Sequence, residues 1–246
     1  MSFFEKVAML LDMYSPLFVK GIYITLMLAI VGTGVGLILG SLVGVYRTIP
    51  IHRQKHRSLR ILYKIGYGIS TAYIELFRST PMMVQAMVIY FGFIWVTGIK
   101  LNPTPTGMVI ISINTGAYMA EIVRAGINSI DKGQYEAAHS VGLSHGQAMR
   151  GIILPQALRN IIPAIGNEFI INMKDSCVLS VISVGELFFA TKSVAGASFA
   201  TFPAYFIAAV VYLVLTIIVS QLLKGLEKKL DGPKNYELYI DDMATE

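Results

Sequence analysis

The chain has 246 residues, of which 54% are hydrophobic and only 14% charged, against about 25% charged in an average soluble domain. Its formal charge is +5, but no basic stripe interleaved with aromatic residues accompanies it, which argues against nucleic-acid binding. A single cysteine, Cys177, excludes an internal disulfide and a zinc site built on a thiol pair.

The distribution of apolar residues places the chain in a membrane. Between Gly21 and Tyr46, and again between Ala204 and Leu223, no side chain other than tyrosine can ionise, and each run is long enough to cross about 30 Å of hydrocarbon as a helix. A cleaved signal peptide is the rival reading of the first run, which is too long and begins too far into the chain for one. Five spans are expected, near 19–46, 81–99, 105–124, 161–188 and 202–224. Ser79 or Thr80 can cap the second and Pro81 suits its first position. Residues 59–78 precede that span as a separate helix near the cytoplasmic surface. The expected fold class is therefore an all-α integral membrane protein with one domain over 1–246, a core of 19–225 and a tail of 226–246.

Basic residues orient the spans. Arg47, Arg53, Lys55, Arg57, Arg60, Lys64 and Arg78 fall on one side with Arg124, Lys132, Arg150, Arg159, Lys224, Lys228, Lys229 and Lys234. Lys6, Lys100 and Lys192 fall on the other, and Lys20 and Lys174 lie within spans. Cytoplasmic loops collect lysine and arginine, so the N-terminus is expected outside and the C-terminus inside. The connection 125–160 is then cytoplasmic. Its glycines, Gly133, Gly142, Gly146 and Gly151, and Pro155 divide it into short helices on the membrane face. Glu136 to Val141 can form one such helix, ended by Gly142 in the left-handed conformation.

The ordered set Glu136-Ala137-Ala138, Gly142 and Ile153-Leu154-Pro155 resembles the EAA signature of permease subunits of binding-protein-dependent ABC importers. In that family the segment is a coupling helix that docks on an ATPase subunit, so the resemblance assigns Glu136, Ala137, Ala138 and Gly142 to coupling. Phe77-Arg78-Ser79-Thr80-Pro81 with Gln85, Ala117 to Gly126, and Lys174-Asp175-Ser176-Cys177-Val178-Leu179 are similar to segments of the polar amino-acid branch. This chain departs from that branch at Ser79, Cys177 and Val178. Cys177 reads by itself as a small apolar residue with nothing beside it to activate a thiol. The resemblance implies a type I importer permease acting as a dimer, with itself or a related chain. Its partners would be two ATPase subunits, which carry the ATP and Mg, and an extracytoplasmic amino-acid-binding protein, in a prokaryotic cytoplasmic membrane. No cofactor or metal is expected on this chain.

Charges inside spans carry the remaining signal, because one Asp, Lys or Arg at a helix centre costs roughly 2.5–3.5 kcal/mol on insertion scales. Glu168, Asn172 and Asp175 return to one helical face at offsets of four and seven, and Lys174 borders that stripe. An α-amino acid offers both a carboxylate and an ammonium. The stripe offers Glu168, Asn172, Lys174 and Asp175 to a substrate path, and the resemblance, which puts the Lys-Asp segment and the glutamine after the proline beside that path, supports Lys174 and Asp175 and adds Ser176 and Gln85. An ion pair that only orders helices is the competing reading for Lys174 with Asp175. For Glu121 with Arg124, and Glu75 with Arg78, that structural role is the expectation. Glu186 is expected in an interfacial setting, and His139 and His145 as surface or contact residues.

Two other classes compete. An ion-coupled secondary transporter of small polar solutes calls for inverted repeats, and no clear internal repeat is present. A membrane protein without transport leaves the coupling segment and the polar stripe unexplained. Glutamine, glutamate, histidine, lysine and arginine remain open as cargo. No Gly-x-x-x-x-Gly-Lys-Ser/Thr loop occurs in the sequence. The purified chain alone is therefore expected neither to bind nor to hydrolyse ATP; specific turnover at high purity would overturn the permease reading.

Overall fold

The computed structural model describes residues 2–49 and 57–231. The basic residues Arg53, Lys55 and Lys234, and the tail from 232 onward, lie outside the described residues. Within them the chain is helical throughout: α1 (Phe3–Thr48), α2 (Arg57–Ser79), α3 (Met82–Thr97), α4 (Pro103–Asn128), α5 (Lys132–Ser140), α6 (His145–Ala148), α7 (Leu154–Asp175), α8 (Leu187–Ser198) and α9 (Thr201–Asp231). A π-turn, Met149–Ile153, joins α6 to α7, and a 3₁₀ segment, Ser176–Ile182, continues α7. Among the described residues three helices are long and apolar enough to cross a membrane, or up to five if each bent pair forms one crossing.

The first span is much longer than its apolar run. Ser2 and Glu5 form a capping box, so α1 starts at Phe3 and continues for 46 residues, about 69 Å at 1.5 Å per residue. Glu5, Lys6, Asp12, Pro16 and Lys20 dilute the hydropathy of its first half, which is why the apolar signal begins only near residue 19. That half still packs: Leu10 and Phe18 are buried against Leu187, Val194 and Ala204 of α8 and α9.

The helix expected to lie on the cytoplasmic surface instead runs back along α1 and α4. The Tyr63 hydroxyl donates to the carbonyls of Tyr46 and Ile49 at the C-terminal end of α1, and ten residues later the Tyr73 hydroxyl donates to Ile113 in the middle of α4. The chain then turns by 110° into α3, with only Thr80 and Pro81 between the helices. Pro81 itself is the N-cap, with extended backbone and no side-chain cap, so neither Ser79 nor Thr80 has the expected capping role. The Thr80 hydroxyl instead donates to the Leu76 carbonyl at the end of α2.

The expected fourth span, 161–188, is not continuous. After the 3₁₀ turn the backbone reverses at Ser183 (φ 66°), and α8 departs at 53°. Glu186, expected in an interfacial setting, is fully buried. Its carboxylate accepts from the amides of Phe188 and Phe189 at 2.8 and 2.7 Å, capping α8, and from the Tyr212 hydroxyl at 3.1 Å. The break creates free amides within the fold, and this carboxylate satisfies two of them.

The packing of α1 on α4 organises the rest. Gly32, Gly36, Gly40 and Gly44 recur every four residues along one face of α1, the spacing that lets two helix backbones approach closely. A side chain at Gly40 would run into the Met119 side chain and come within 2.7 Å of the Ala120 amide nitrogen. Near the C-terminal ends of α1 and α4, Arg47 and Arg124 share Glu121, each 2.6 Å from one carboxylate oxygen, and the Arg47 guanidinium lies over the Tyr67 ring. The expected Glu121–Arg124 pair is thus one part of a three-helix contact among α1, α2 and α4. Among the described residues no ion pair joins Glu75 to Arg78; the Arg78 guanidinium lies 5.5 Å from the centre of the Tyr118 ring. Gly40→Leu should lower stability by roughly 2–4 kcal/mol, because backbone atoms must give way. Gly34→Ala, which meets nothing within 4 Å, should be close to neutral. Thermal unfolding of the two variants in one detergent tests the contrast.

Candidate functional site

A cavity of about 400 Å³ opens between the α2–α3 elbow, α4 and α7. The size lies within the range of about 300–1,000 Å³ typical of small-molecule sites. Arg78, Ser79, Thr80, Pro81 and Met82 form the elbow wall, Asn114 and Tyr118 come from α4, and Glu168, Ile171, Asn172 and Asp175 come from α7. The helical face expected from offsets of four and seven therefore exists and faces an interior space.

The three members of that face differ in how they are held. Asn172 is spanned by its neighbours: its Nδ2 donates to Thr33 Oγ1 and its Oδ1 accepts from Thr115 Oγ1, both at 2.9 Å. That bridge ties α7 to α1 and α4, so Asn172 is structural floor as well as cavity lining. Glu168 is only 7% exposed, yet among the described residues no hydrogen bond or ion pair reaches its carboxylate. Asp175 is exposed at the other end of the face, also without a hydrogen bond or ion pair among the described residues.

The other nominated residues lie apart from the cavity. Lys174 is exposed and makes no ion pair with Asp175. Ser176 is fully buried, and its hydroxyl donates to the Met173 carbonyl in its own helix. Gln85 is buried with its amide bonded to the elbow and to Asn114. Cys177 is half-buried. Among the described residues no three His, Cys, Asp or Glu side chains group as a metal site. Arg78 and Tyr118 were not legible as cavity residues, because the turn that brings them there is a tertiary feature; the Arg-Ser-Thr-Pro string was the available signal.

The coupling segment has the expected form, with α5 starting earlier. Asp131 caps it by accepting from the Gly133 amide, and Gly142 (φ 83°) ends it. The Leu143 amide donates to Ala138 and the Gly142 amide to His139, both at 3.0 Å, which is the Schellman pairing a left-handed residue permits. Ala138 is buried, whereas Glu136, Ala137 and Gly142 are exposed. Val141 stands 77% exposed at the tip, an apolar side chain the sequence pattern did not single out. Behind α5 the Tyr135 hydroxyl lies 2.6 Å from His145 Nδ1 and the His139 ring lies over Tyr135, so both histidines are contact residues. A hollow of about 610 Å³ lies there, between α5, the π-turn and the C-terminal ends of α1 and α4.

A cavity at a broken helix and a glycine-ended helical knob agree with one family. The sequence profile of the binding-protein-dependent transport system inner membrane component matches residues 60–232. The chain belongs to that family. The permease is 34% identical over 215 residues to the arginine transport system permease protein ArtQ of Bacillus subtilis, covering 87% of this chain and 93% of that protein. It is 35% identical over 216 residues to the glutamine transport system permease protein GlnP of Escherichia coli, covering 87% and 93%. A crystal structure of an amino acid ABC transporter with histidines superposes with a TM-score of 0.78 at 34% identity, covering 93% of this chain and 99% of that one. An inward-facing structure of the MetNI methionine ABC transporter gives 0.68 at 19% identity over 87% and 96%, a likeness of fold. The permease thus has the type I importer fold, and its family is one of inner-membrane transport components rather than catalytic enzymes.

Gly142→Val should leave membrane insertion intact and disrupt the knob, since a β-branched residue with positive φ costs about 1–3 kcal/mol. Gly146→Ala, at an open position without positive φ, is the control. Pull-down of the ATPase subunit, run beside uptake in proteoliposomes, should fall about tenfold for the first variant only. Equal values for both variants would remove α5 from the coupling interface.

Proposed function

We propose that this permease is the membrane-spanning subunit of an ATP-driven importer of polar amino acids. It works as a pair with itself or a related chain, on two ATPase subunits that hold the ATP and Mg, and it receives its cargo from an extracytoplasmic binding protein. The N-terminus lies outside and the C-terminus in the cytoplasm. The cytoplasmic segment 125–160, with Glu136, Ala137, Ala138 and Gly142 on α5, meets the ATPase. Support for the cargo class comes from the arginine and glutamine systems for which the two relatives are named.

The carrying observation is the buried Glu168 carboxylate, which faces the cavity without a protein donor. A buried carboxylate without a partner is costly, so a cation arriving in the cavity gains a ready counter-charge. Asp175 adds a second carboxylate, and Arg78 supplies positive charge on the opposite wall. That layout matches a zwitterion: the ammonium or a cationic side chain meets Glu168 and Asp175, and the carboxylate meets Arg78. Arg78 is favoured over Lys174 for that part, because Arg78 lines the cavity and Lys174 is exposed outside its lining.

An ion-coupled carrier is not favoured, since α5 and its glycine cap have no use in one. Glu168→Gln should weaken arginine more than glutamine by one to two decades, the value of a charge-assisted contact at roughly 1.5–3 kcal/mol. The measurement is equilibrium binding of both amino acids to the purified membrane complex without the binding protein, whose own selectivity would otherwise mask the effect. Unchanged affinities in a folded complex would make Glu168 a structural residue.

A further inference from the structure

Gln85 was expected beside the solute path, but its side chain faces the elbow. Its Nε2 lies 2.9 Å from the Phe77 carbonyl oxygen, 2.9 Å from the Thr80 carbonyl oxygen and 2.8 Å from Thr80 Oγ1. Its Oε1 accepts from Asn114 Nδ2 at 2.9 Å, and the same Nδ2 approaches the Phe77 carbonyl at 3.3 Å. Gln85 and Asn114 are both at least nine-tenths buried.

These bonds answer a specific deficit. A helix leaves its last carbonyls without intrahelical donors, and Pro81 has no amide hydrogen with which α2 could continue. Thr80 Oγ1 serves Leu76, and Gln85 with Asn114 serves Phe77, while Gln85 also serves the carbonyl of Thr80. The sharp turn therefore leaves its exposed carbonyls to side chains from α3 and α4. An apolar residue at 85 would strand the Thr80 carbonyl and leave Phe77 only the longer contact from Asn114 in a part-buried setting.

We infer that Gln85 is a positioning residue: with Asn114 it clasps the α2–α3 elbow to α4 and so sets where the Arg78–Met82 wall stands in the cavity. This rests on the reading of the cavity as the solute site. The clasp acts on every ligand alike, because it moves a wall and touches no cargo. A Gln85 that contacted cargo directly would discriminate among cargoes.

The test uses the complete importer in nanodiscs, with spin labels at Leu62→Cys on α2 and Trp95→Cys on α3, both exposed positions, in a Cys177→Ser background diluted with unlabelled chain. Gln85→Leu should shift or broaden the distance across the elbow by several ångström. It should also weaken binding of arginine, glutamine and histidine by one common factor, on the order of tenfold. Gln85→Met keeps roughly the volume and has no hydrogen-bond donor, and should behave the same way; it serves if the leucine variant fails to fold. An unchanged distance distribution, or factors that differ between the amino acids, would overturn the clasp. Absence of binding to the unsubstituted complex would instead sink the solute reading, and the label distance would then decide the clasp alone.

Discussion

Helices α1 and α4 meet almost backbone to backbone, and the position of every other element follows from that approach. With a glycine at every fourth position of α1, the two helices come close enough for Thr33 and Thr115 to reach a single amide on α7, that of Asn172. The same approach sets Arg47 against Glu121 near the C-terminal ends of both helices. Lipid supplies no hydrophobic drive for helices to associate, so close van der Waals packing and such polar stitches hold the bundle. Bulk on this face of α1 would push α7 away from α4 and with it the floor of the cavity.

Polar groups inside the bundle are otherwise spent on repairing breaks in helices. Glu186 caps α8 where the fourth crossing is interrupted, and Gln85 with Thr80 covers the carbonyls at the elbow. Each irregularity lies beside a buried acceptor or donor of the right kind, as the absence of water in hydrocarbon requires. Glu168 stands apart from this pattern, since its carboxylate repairs nothing.

What the sequence revealed and what it hid divide along physical lines. Long uncharged runs, the helical period of Glu168, Asn172 and Asp175, and the glycine that ends α5 are local properties, and they read correctly. The 110° turn at Pro81 did not, because a proline after a capping residue opens a new helix equally well in a straight or a bent arrangement. The direction of α2 was hidden likewise: its basic first turns describe a surface helix, and only Tyr63 and Tyr73 bonding to α1 and α4 reveal that it runs inward. Glu186 was misread because a charge near an expected span end resembles an interfacial residue until the break that it caps is known. The four-residue glycine repeat was present in the sequence and marks the tightest contact in the fold.

The π-turn at Met149–Ile153 has a mechanical meaning. It carries the chain from α6 into α7 without a loop, so α6, the turn and α7 form one unbroken helical shaft from His145 past Glu168. A loop would absorb displacement as slack, whereas a helical shaft is stiff along its length and transmits torsion. The wider turn adds one residue to the winding, which is the kind of irregularity a shaft can lose or gain to change its angular setting. One residue of winding is about 100° of rotation. Some fifteen residues further on, about 22 Å along the axis, that rotation would bring a different face of α7 to the position Glu168 holds.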